Sequence, residues 1–335
     1  MVPSGSDRVN RCAGTPGGYN GRRVSRSRNK PLKAFLRNLR GIAIFSALTA
    51  NTLFWFTPLF LLAIVKLLLP VPAVRRGLTR VLMAIGENWV AVNQRILAGS
   101  GAMRWRADGI DTLRPDGWYL VVANHQTWVD ILVLQSVLNR RIPFLKFFIK
   151  QELVWFPVLG VAWWALDMPF MKRHSPSYLA KHPDKKGKDL EATRKACEKF
   201  RQTPTSVINF VEGTRFSEAK RVARQSPFRY LLKPRAGGIA VALGSMGELF
   251  DHVLDVTIVY PDGVPRFWGM CCGDRVVPVV DVVVRDIDPA LCRGDYEGDR
   301  EFRRTVHAWL GDLWREKDAR IEALRPDSRS GVPVT

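Results

Sequence analysis

Hydrophobic and polar positions divide the chain into one long apolar segment and a region of shorter alternating runs. Residues 41–65 contain no charged side chain, and a run of about 20 apolar residues is long enough to cross a bilayer. Two arrangements fit: a single tilted span, or a re-entrant hairpin broken near Pro58, where proline interrupts helical hydrogen bonding. Residues 81–97 mix apolar and charged positions, which predicts an interfacial or packing helix. We therefore interpret residues 41–98 as a membrane-associated helical segment.

The remainder of the chain alternates between short β-rich runs and helical patterns. Strands are predicted at 103–109, 118–123, 206–211, 255–260 and 279–286, and helices at 128–138, 189–202, 239–250 and 299–324. The polar stretch 172–189 is typical of a surface loop or lid. This alternation predicts an α/β domain over 99–325, with a mainly parallel or mixed sheet flanked by helices, followed by a flexible tail at 326–335.

Charge changes this picture at the N-terminus and beside the apolar segment. The 335-residue chain has a formal net charge of +20, which predicts an anionic partner: nucleic acid, an acidic membrane face or a phosphorylated substrate. Residues 1–40 contain ten Lys or Arg residues against Asp7 alone, which predicts a disordered basic arm. Basic residues lie on both sides of residues 41–65, so we favour the hairpin, with both ends on the cytoplasmic face. The composition suits a bacterial inner membrane.

Two His–Asp pairs with the same spacing raise the question of a catalytic base. His307 and Asp312 fall in one helical pattern, where positions five apart point about 140° away from each other, so we expect both on the surface. His125 follows a predicted strand, and the bend into the next helix can bring Asp130 to it. A carboxylate on one imidazole nitrogen fixes the tautomer and leaves the other nitrogen free as a base. Alternatively, Thr127 caps the helix and Asp130 only complements its dipole.

A second polar group follows the predicted strand at 206–211. Ligands in open α/β sheets gather at the carboxyl ends of the strands, so Glu212, Gly213, Thr214 and Arg215 are expected to share a crevice with His125 if the two strands are parallel. Gly213 permits a tight turn, and Arg215 can grip a phosphate in a bidentate manner with help from the Thr214 hydroxyl. Glu212 could position Arg215 or hold the turn. The alternative is an ordinary β-turn with a surface salt bridge.

These two stretches, NHQTWVD at 124–130 and FVEGTR at 210–215, resemble the paired signatures of the glycerolipid acyltransferase superfamily, the lysophospholipid acyltransferases. Weaker matches to the superfamily occur at 160–173 and 256–261. The stretch 231–238 resembles the branch that holds the bacterial 1-acylglycerol-3-phosphate acyltransferase type and some eukaryotic relatives. The resemblance covers roughly residues 85–290. Phe216 stands where many members have serine, which affects the expected acceptor selectivity rather than the chemistry.

The resemblance implies a reaction and a set of site residues. His125 would deprotonate the free hydroxyl of lysophosphatidic acid, and Asp130 would orient His125 during attack on the thioester of acyl-CoA or acyl carrier protein, giving phosphatidic acid. The substrate-binding residues would be Glu212, Gly213, Thr214, Arg215, Arg173 and Lys233. Lys233, Arg235 and the following glycines precede a helix N-terminus, which is a candidate anion site.

The expected partners are membrane lipids, lysophosphatidic acid and the acyl donor, with no nucleic acid. No metal or redox cofactor is required, and the five cysteines lack the Cys-x-x-Cys spacing of a zinc site. Two alternatives stay open: an acyltransferase for another lysophospholipid or lipid acceptor, and a non-catalytic membrane-anchored protein that binds anions. The second leaves His125 and Asp130 without a role.

Overall fold

The computed structural model of the protein describes residues 30–69, 71–156, 159–171, 198–292, 294, 296 and 298–325. Residues 1–29, the predicted loop 172–189 with Arg173, most of the predicted helix 189–202, and the predicted tail lie outside these residues. The described residues form a pair of long helices packed against an α/β domain.

The first two helices, α1 (Lys30–Leu68) and α2 (Pro72–Gly99), form an antiparallel hairpin. Near its middle, the buried side-chain amide of Asn51 donates to the carbonyl oxygen of Trp89 at 3.0 Å and to Oδ1 of Asn93 at 2.9 Å. These interhelical hydrogen bonds satisfy polar groups that would otherwise be buried without partners.

Two expectations for this region are wrong. Helix α1 continues through Pro58, so the predicted break there is absent, and the chain reverses direction after Leu68 instead. Helix α1 also begins at Lys30, so residues 30–40 are helical rather than part of a disordered arm. The basic side chains of Arg37 and Arg40 have distant partners that stabilise this part of the helix: Arg37 pairs with Asp274 at 2.6 Å, and Arg40 donates to a backbone carbonyl after α2 at 2.7 Å.

Most of the apolar surface of α1 is not covered by protein. The 39 residues of α1 extend about 58 Å at 1.5 Å per residue, and the helix is long and apolar enough to cross a membrane. Only 17% of the residues in its most apolar window are buried. A contiguous exposed apolar face of this kind marks an interaction surface. Its large exposed side chains are Leu32, Phe35, Leu36, Leu39, Ile42, Phe45, Leu53, Phe54, Phe60, Leu61, Ile64, Val65, Leu67 and Leu68.

The α/β domain contains a six-stranded mixed sheet in the spatial order β1-β8-β7-β2-β6-β3. Strands β7 and β8 are antiparallel, and the other neighbouring pairs are parallel, as predicted for a mainly parallel or mixed sheet. A second sheet pairs β4 (Ile149–Lys150) with β5 (Phe170–Met171). The strands of the main sheet are β1 (Arg106–Asp108), β2 (Tyr119–Ala123), β3 (Leu145–Phe147), β6 (Ser206–Phe210), β7 (His252–Val259) and β8 (Val279–Arg285).

Helices cover both faces of the main sheet. Helix α3 (Val129–Leu138) and the C-terminal end of α2 pack on one face, and α6 (Ala236–Met246) and α8 (Arg300–Leu324) pack on the other. Strands β2 and β7 are therefore buried on both sides, which explains the continuous apolar run of β2. Strand β7 is equally buried but contains Asp255 and Thr257. The shorter helices are α4 (Leu159–Ala165), which packs against α1 and α2, α5 (Glu218–Ala223) and α7 (Phe267–Cys271), with 3₁₀ turns at Gln151–Trp155, Glu198–Gln202, Gly247–Leu249 and Pro289–Leu291.

A buried ion cluster fixes α8 to β7. Asp255 is fully buried and pairs with Lys317, with Arg285 at 3.0 Å and with Arg320 at 3.1 Å. Burial acts to raise the pKa of Asp255, but Lys317 and the two arginines outweigh it, so that the pKa is lowered. Burial lowers the pKa of Lys317, which also donates to the carbonyl oxygen of Val256 at 2.6 Å. The cluster therefore holds β7, one of the two middle strands of the sheet, against α8.

We expect Asp255→Ala to destabilise the protein strongly. Removing one partner of a buried ion pair leaves Lys317 charged and buried, which costs about 3–5 kcal/mol of unfolding free energy. Denaturant unfolding of the full chain in detergent measures this loss. The matched control is Asp312→Ala, which removes an exposed pair with Arg315 and should cost less than about 1 kcal/mol. Equal effects of the two substitutions would show that the cluster contributes little.

Candidate active site

His125 and Asp130 lie where β2 ends and α3 begins. Nδ1 of His125 is 2.8 Å from Oδ2 of Asp130. The side chain of Asp130 is fully buried, while that of His125 keeps 12% of its surface exposed. The two predicted residues are therefore in direct contact, and Asp130 does more than complement the helix dipole.

Asp130 also closes the turn that positions the histidine. Oδ2 of Asp130 accepts from the backbone N–H groups of Gln126 at 2.5 Å and Thr127 at 2.9 Å, and Oδ1 accepts from the hydroxyl of Tyr260 at 2.6 Å. Thr127 donates its hydroxyl to the carbonyl oxygen of Pro265. With a donor on every side, the carboxylate cannot rotate away from His125 without losing several hydrogen bonds.

Tyr260 is a positioning residue that the sequence did not reveal. It follows β7 and is 130 residues from Asp130 along the chain. Burial raises the pKa of Tyr260 well above its usual value, and the negative charge of Asp130 adds to this. The phenol therefore stays protonated and acts as a permanent donor to the carboxylate. The only signal in the sequence was an aromatic residue at the end of the apolar run 255–260.

The imidazole ring of His125 is oriented by two contacts. It stacks on Phe210, with 4.1 Å between the ring centroids and 18° between the planes. When Nδ1–H donates to Asp130, the neutral tautomer has its lone pair on Nε2. No hydrogen-bond partner of Nε2 is found among the described residues, so this nitrogen can accept a proton from a ligand.

Polar side chains of the same turn tie it to β7. Nδ2 of Asn124 donates to the carbonyl oxygen of Ile258 at 2.9 Å, and Oδ1 of Asn124 accepts from the N–H of Ile258 at 2.8 Å. Nε2 of Gln126 donates to the same carbonyl oxygen at 2.8 Å. The Asn124 side chain thus adds one more pair of hydrogen bonds between the end of β2 and β7, just before His125.

Glu212 connects the histidine turn to the next loop. Its side chain is fully buried; Oε1 accepts from the N–H of His125 and Oε2 from the N–H of Leu232, each at 2.9 Å. Burial raises the pKa of Glu212 to about 7, although the two backbone donors oppose this. Of the two roles considered for Glu212, holding the turn is the one its contacts support.

The following residues form the predicted tight turn beside the histidine. Gly213 has φ of +67°, a conformation that side chains disfavour. The backbone N–H of Phe216 donates to the carbonyl oxygen of His125 at 2.7 Å. Since β2 and β6 are parallel neighbours, His125 and residues 212–215 lie at the same edge of the sheet, as predicted.

The guanidinium of Arg215 lies over the ring of Trp128, 5.1 Å from its centroid. Both side chains are exposed, so the cation faces solvent near the histidine turn. Thr214 Oγ1 accepts from Nζ of Lys220 at 3.0 Å. Lys233 is exposed, and no hydrogen bond or ion pair of its side chain with His125 or residues 212–215 is found among the described residues.

The second His–Asp pair is separate, as expected. His307 and Asp312 are both exposed on α8. His307 Nε2 is 3.0 Å from the hydroxyl of Tyr296, and Asp312 pairs with Arg315. Identical spacing therefore gives a contact across the strand–helix bend and none along a helix.

Comparisons with known proteins relate the chain to lipid acyltransferases. The family described as Acyltransferase matches residues 104–261. The chain is 28% identical to human 1-acyl-sn-glycerol-3-phosphate acyltransferase delta over 214 residues, which cover 60% of this chain and 51% of that protein. It is 24% identical to the mouse gamma protein over 219 residues, covering 62% and 53%. The chain thus spans about half the length of these curated relatives.

Among solved structures, the chain is similar to the 1-acyl-sn-glycerophosphate (LPA) acyltransferase PlsC from Thermotoga maritima. The two are 18% identical, with a TM-score of 0.46, and the match covers 83% of this chain and 98% of that one. Within the described part of the chain, no group of three or more His, Cys, Asp or Glu side chains is placed to hold a metal ion. The side chains that are brought together are an imidazole, a buried carboxylate and a nearby guanidinium.

We expect Glu212→Gln to change how stability depends on pH. The folded-state pKa of Glu212 is about 7, above the ordinary 4.5, so the folded protein binds the proton more tightly. The proton on Glu212 therefore adds about 3 kcal/mol to the unfolding free energy. This contribution is fully present below about pH 4.5 and is lost as the pH rises through 7. The unfolding free energy of the wild type should exceed that of the variant most at about pH 5 and least at about pH 8.

Denaturant titrations of both proteins across this range measure the difference. Glu218→Gln, at an exposed glutamate of the next helix, is the control and should show no such trend. A difference between wild type and Glu212→Gln that is constant or grows with pH would contradict the assignment.

Proposed function

We propose that the chain is a member of the glycerolipid acyltransferase superfamily, to which the comparisons relate it, and that it transfers a fatty acyl group from a thioester donor to the free hydroxyl of lysophosphatidic acid, giving phosphatidic acid. The observation that supports the proposal most directly is the 2.8 Å contact between His125 Nδ1 and Asp130 Oδ2, at the sheet edge that also presents Arg215.

The chemistry follows from the free nitrogen of the histidine. Nε2 of His125 takes the proton of the acceptor hydroxyl while the hydroxyl oxygen forms a bond to the thioester carbonyl carbon. Asp130 stabilises the imidazolium that results. The tetrahedral intermediate then collapses: the carbon–sulfur bond breaks, and the departing thiolate recovers the proton from His125. The products are an ester and a free thiol, and the balance requires no metal or redox cofactor.

Arg215 is the proposed ligand of the acceptor phosphate. The phosphate of lysophosphatidic acid is only a few bonds from its free hydroxyl, so its ligand has to lie close to His125. The N–H of Phe216 is bonded to the carbonyl oxygen of His125, which places the backbone of the preceding Arg215 directly beside the histidine turn. A planar guanidinium suits bidentate binding of phosphate, and stacking on Trp128 restricts its motion.

We expect His125→Ala to lose acyl transfer by about 10²–10⁴-fold, the usual contribution of a general base. The assay follows labelled acyl groups from acyl-CoA and from acyl carrier protein onto lysophosphatidic acid and other lysophospholipids, using purified full chain. His307→Ala, at an exposed histidine outside the site, is the matched control and should retain activity within about two-fold. Undiminished transfer by His125→Ala would remove the proposed base and favour a non-catalytic anion-binding protein.

We also propose that the protein lies on one face of the membrane, with α1 and α2 dipping into it rather than crossing. Both ends of α1 contact the same domain: Arg37 pairs with Asp274 near one end, and Lys66 pairs with Asp167 at 2.8 Å near the other. A helix crossing a hydrocarbon core of about 30 Å would separate these two contacts. Basic residues at both ends favour the cytoplasmic face, and Trp155, which is 87% exposed, suits the interface.

Cysteine labelling tests this orientation. Lys33→Cys and Arg76→Cys place thiols near the two ends of α1, and Asp312→Cys marks the α/β domain, each in a cysteine-free background. In sealed vesicles, we expect an impermeant maleimide to label all three thiols from the same side, because neither end of α1 is translocated. Labelling of the first two positions from opposite sides would establish a spanning helix instead.

A further inference from the structure

A second group of cations surrounds the turn at 212–215, in addition to Arg215. Nζ of Lys220 donates to Thr214 Oγ1 at 3.0 Å and to the carbonyl oxygen of Arg215 at 2.9 Å. A guanidinium nitrogen of Arg224 is 3.4 Å from the carbonyl oxygen of Glu212. We call Lys220, Arg224 and Arg235 the second cation cluster.

The third member of the cluster crosses the glycine of the turn. The side chain of Arg235 passes so close to Gly213 that a Cβ atom added there would lie 3.1 Å from Cδ of the arginine. The backbone N–H of Arg235 donates to the carbonyl oxygen of Val211 at 2.7 Å, which fixes the start of α6 against the end of β6. Glycine at 213 thus leaves space for a guanidinium.

The described part of the chain supplies no carboxylate partner for any member of the second cation cluster. The adjacent Arg221 differs, because it pairs with Glu218 at 2.6 Å within α5. The carboxyl group of the turn itself, Glu212, is also engaged, because both of its oxygens accept from backbone N–H groups. Like charges held together around one turn repel one another unless an anion binds among them.

The second cation cluster and the guanidinium of Arg215 are associated with different helices. Arg215 extends over Trp128 at the start of α3, whereas the cluster belongs to α5, its C-terminal end and the residue before α6. Helices α3 and α6 cover opposite faces of the sheet. The turn is therefore equipped for two separate anionic groups.

We propose that the second cation cluster binds the phosphate of the phosphopantetheine arm that presents the acyl thioester, whether that arm belongs to coenzyme A or to an acyl carrier protein. This inference rests on the proposed function. The acceptor phosphate has to lie near His125, but the pantetheine arm separates the thioester from its own phosphate by a long chain. The donor phosphate therefore needs cations other than Arg215, and the second cation cluster supplies cations that no described carboxylate neutralises.

The test compares donors that differ only in their phosphates. Arg235→Gln should reduce kcat/KM for acyl-CoA by about ten-fold, the effect of losing a hydrogen bond to a charged group, through a higher KM for the donor. The KM for lysophosphatidic acid should change less than about two-fold. With an acyl thioester of N-acetylcysteamine, which has no phosphate, the loss should fall below about two-fold.

Lys220→Gln is the second variant, and Arg221→Gln, which removes a paired cation from the same helix, is the matched control. An equal loss with the phosphate-free donor, a loss confined to the KM of lysophosphatidic acid, or no loss with acyl-CoA and acyl carrier protein alike would overturn the proposal. A loss of kcat/KM with only one of these two donors identifies the molecule whose phosphopantetheine arm is bound.

Equilibrium binding separates this proposal from the proposed reaction. Calorimetric titration of CoA and of holo acyl carrier protein into the full chain requires no turnover. We expect Arg235→Gln to weaken the binding of at least one of them about ten-fold, and Arg221→Gln to leave it unchanged. Unaltered binding of both, in a protein whose acyl transfer depends on His125, would refute the second cation cluster as a donor site while leaving the reaction intact.

Discussion

The hydrogen bond from the backbone N–H of His125 to the buried carboxylate of Glu212 is the constraint on which the site depends. It joins two turns that are 87 residues apart in sequence, and the other oxygen of Glu212 extends the link to Leu232. Without it, the parallel pairing of β2 and β6 would bring the two turns to the same edge but would not fix their separation. A fixed separation matters because a base contributes only when the reacting atoms are held within hydrogen-bond reach.

The sequence was sufficient to predict the parts of the site that arise from local geometry. His125 and Asp130 meet because a strand–turn–helix bend brings them together, and the mixed sheet follows from alternating strand and helix patterns. Tyr260 and the pairing of Asn124 with Ile258 depend on contacts more than 100 residues away, for which a single sequence has no signal. The family resemblance indicated which reaction to expect, while the contacts in the structure show where each residue lies.

The two errors near the N-terminus have the same physical origin. Proline at 58 removes one helical hydrogen bond, but α1 is anchored on both sides of it, by Asn51 to α2 and by Lys66 to Asp167, and this tertiary packing outweighs the local cost. Residues 30–40 look like a disordered basic arm because their partners, Asp274 and the carbonyl of Ser100, are remote. Local propensity was a poor guide wherever long-range contacts supply the stabilisation.

The electrostatics of the site suit the two anionic substrates that we propose. Asp130 is surrounded by four donors, and Glu212, whose pKa is raised to about 7 by burial, is only partly ionised at neutral pH. Asp130 and Glu212 therefore repel an incoming phosphate less than two exposed carboxylates would. Arg215 and Arg235 are exposed, Lys220 and Arg224 are half-buried, and none of the four pairs with a described carboxylate. In the proposed reaction, buried acids thus hold the turn and orient the base, while the cations are left to attract substrate. Because the carboxyl groups are buried and bonded to other donors, they do not neutralise the cations around the same turn.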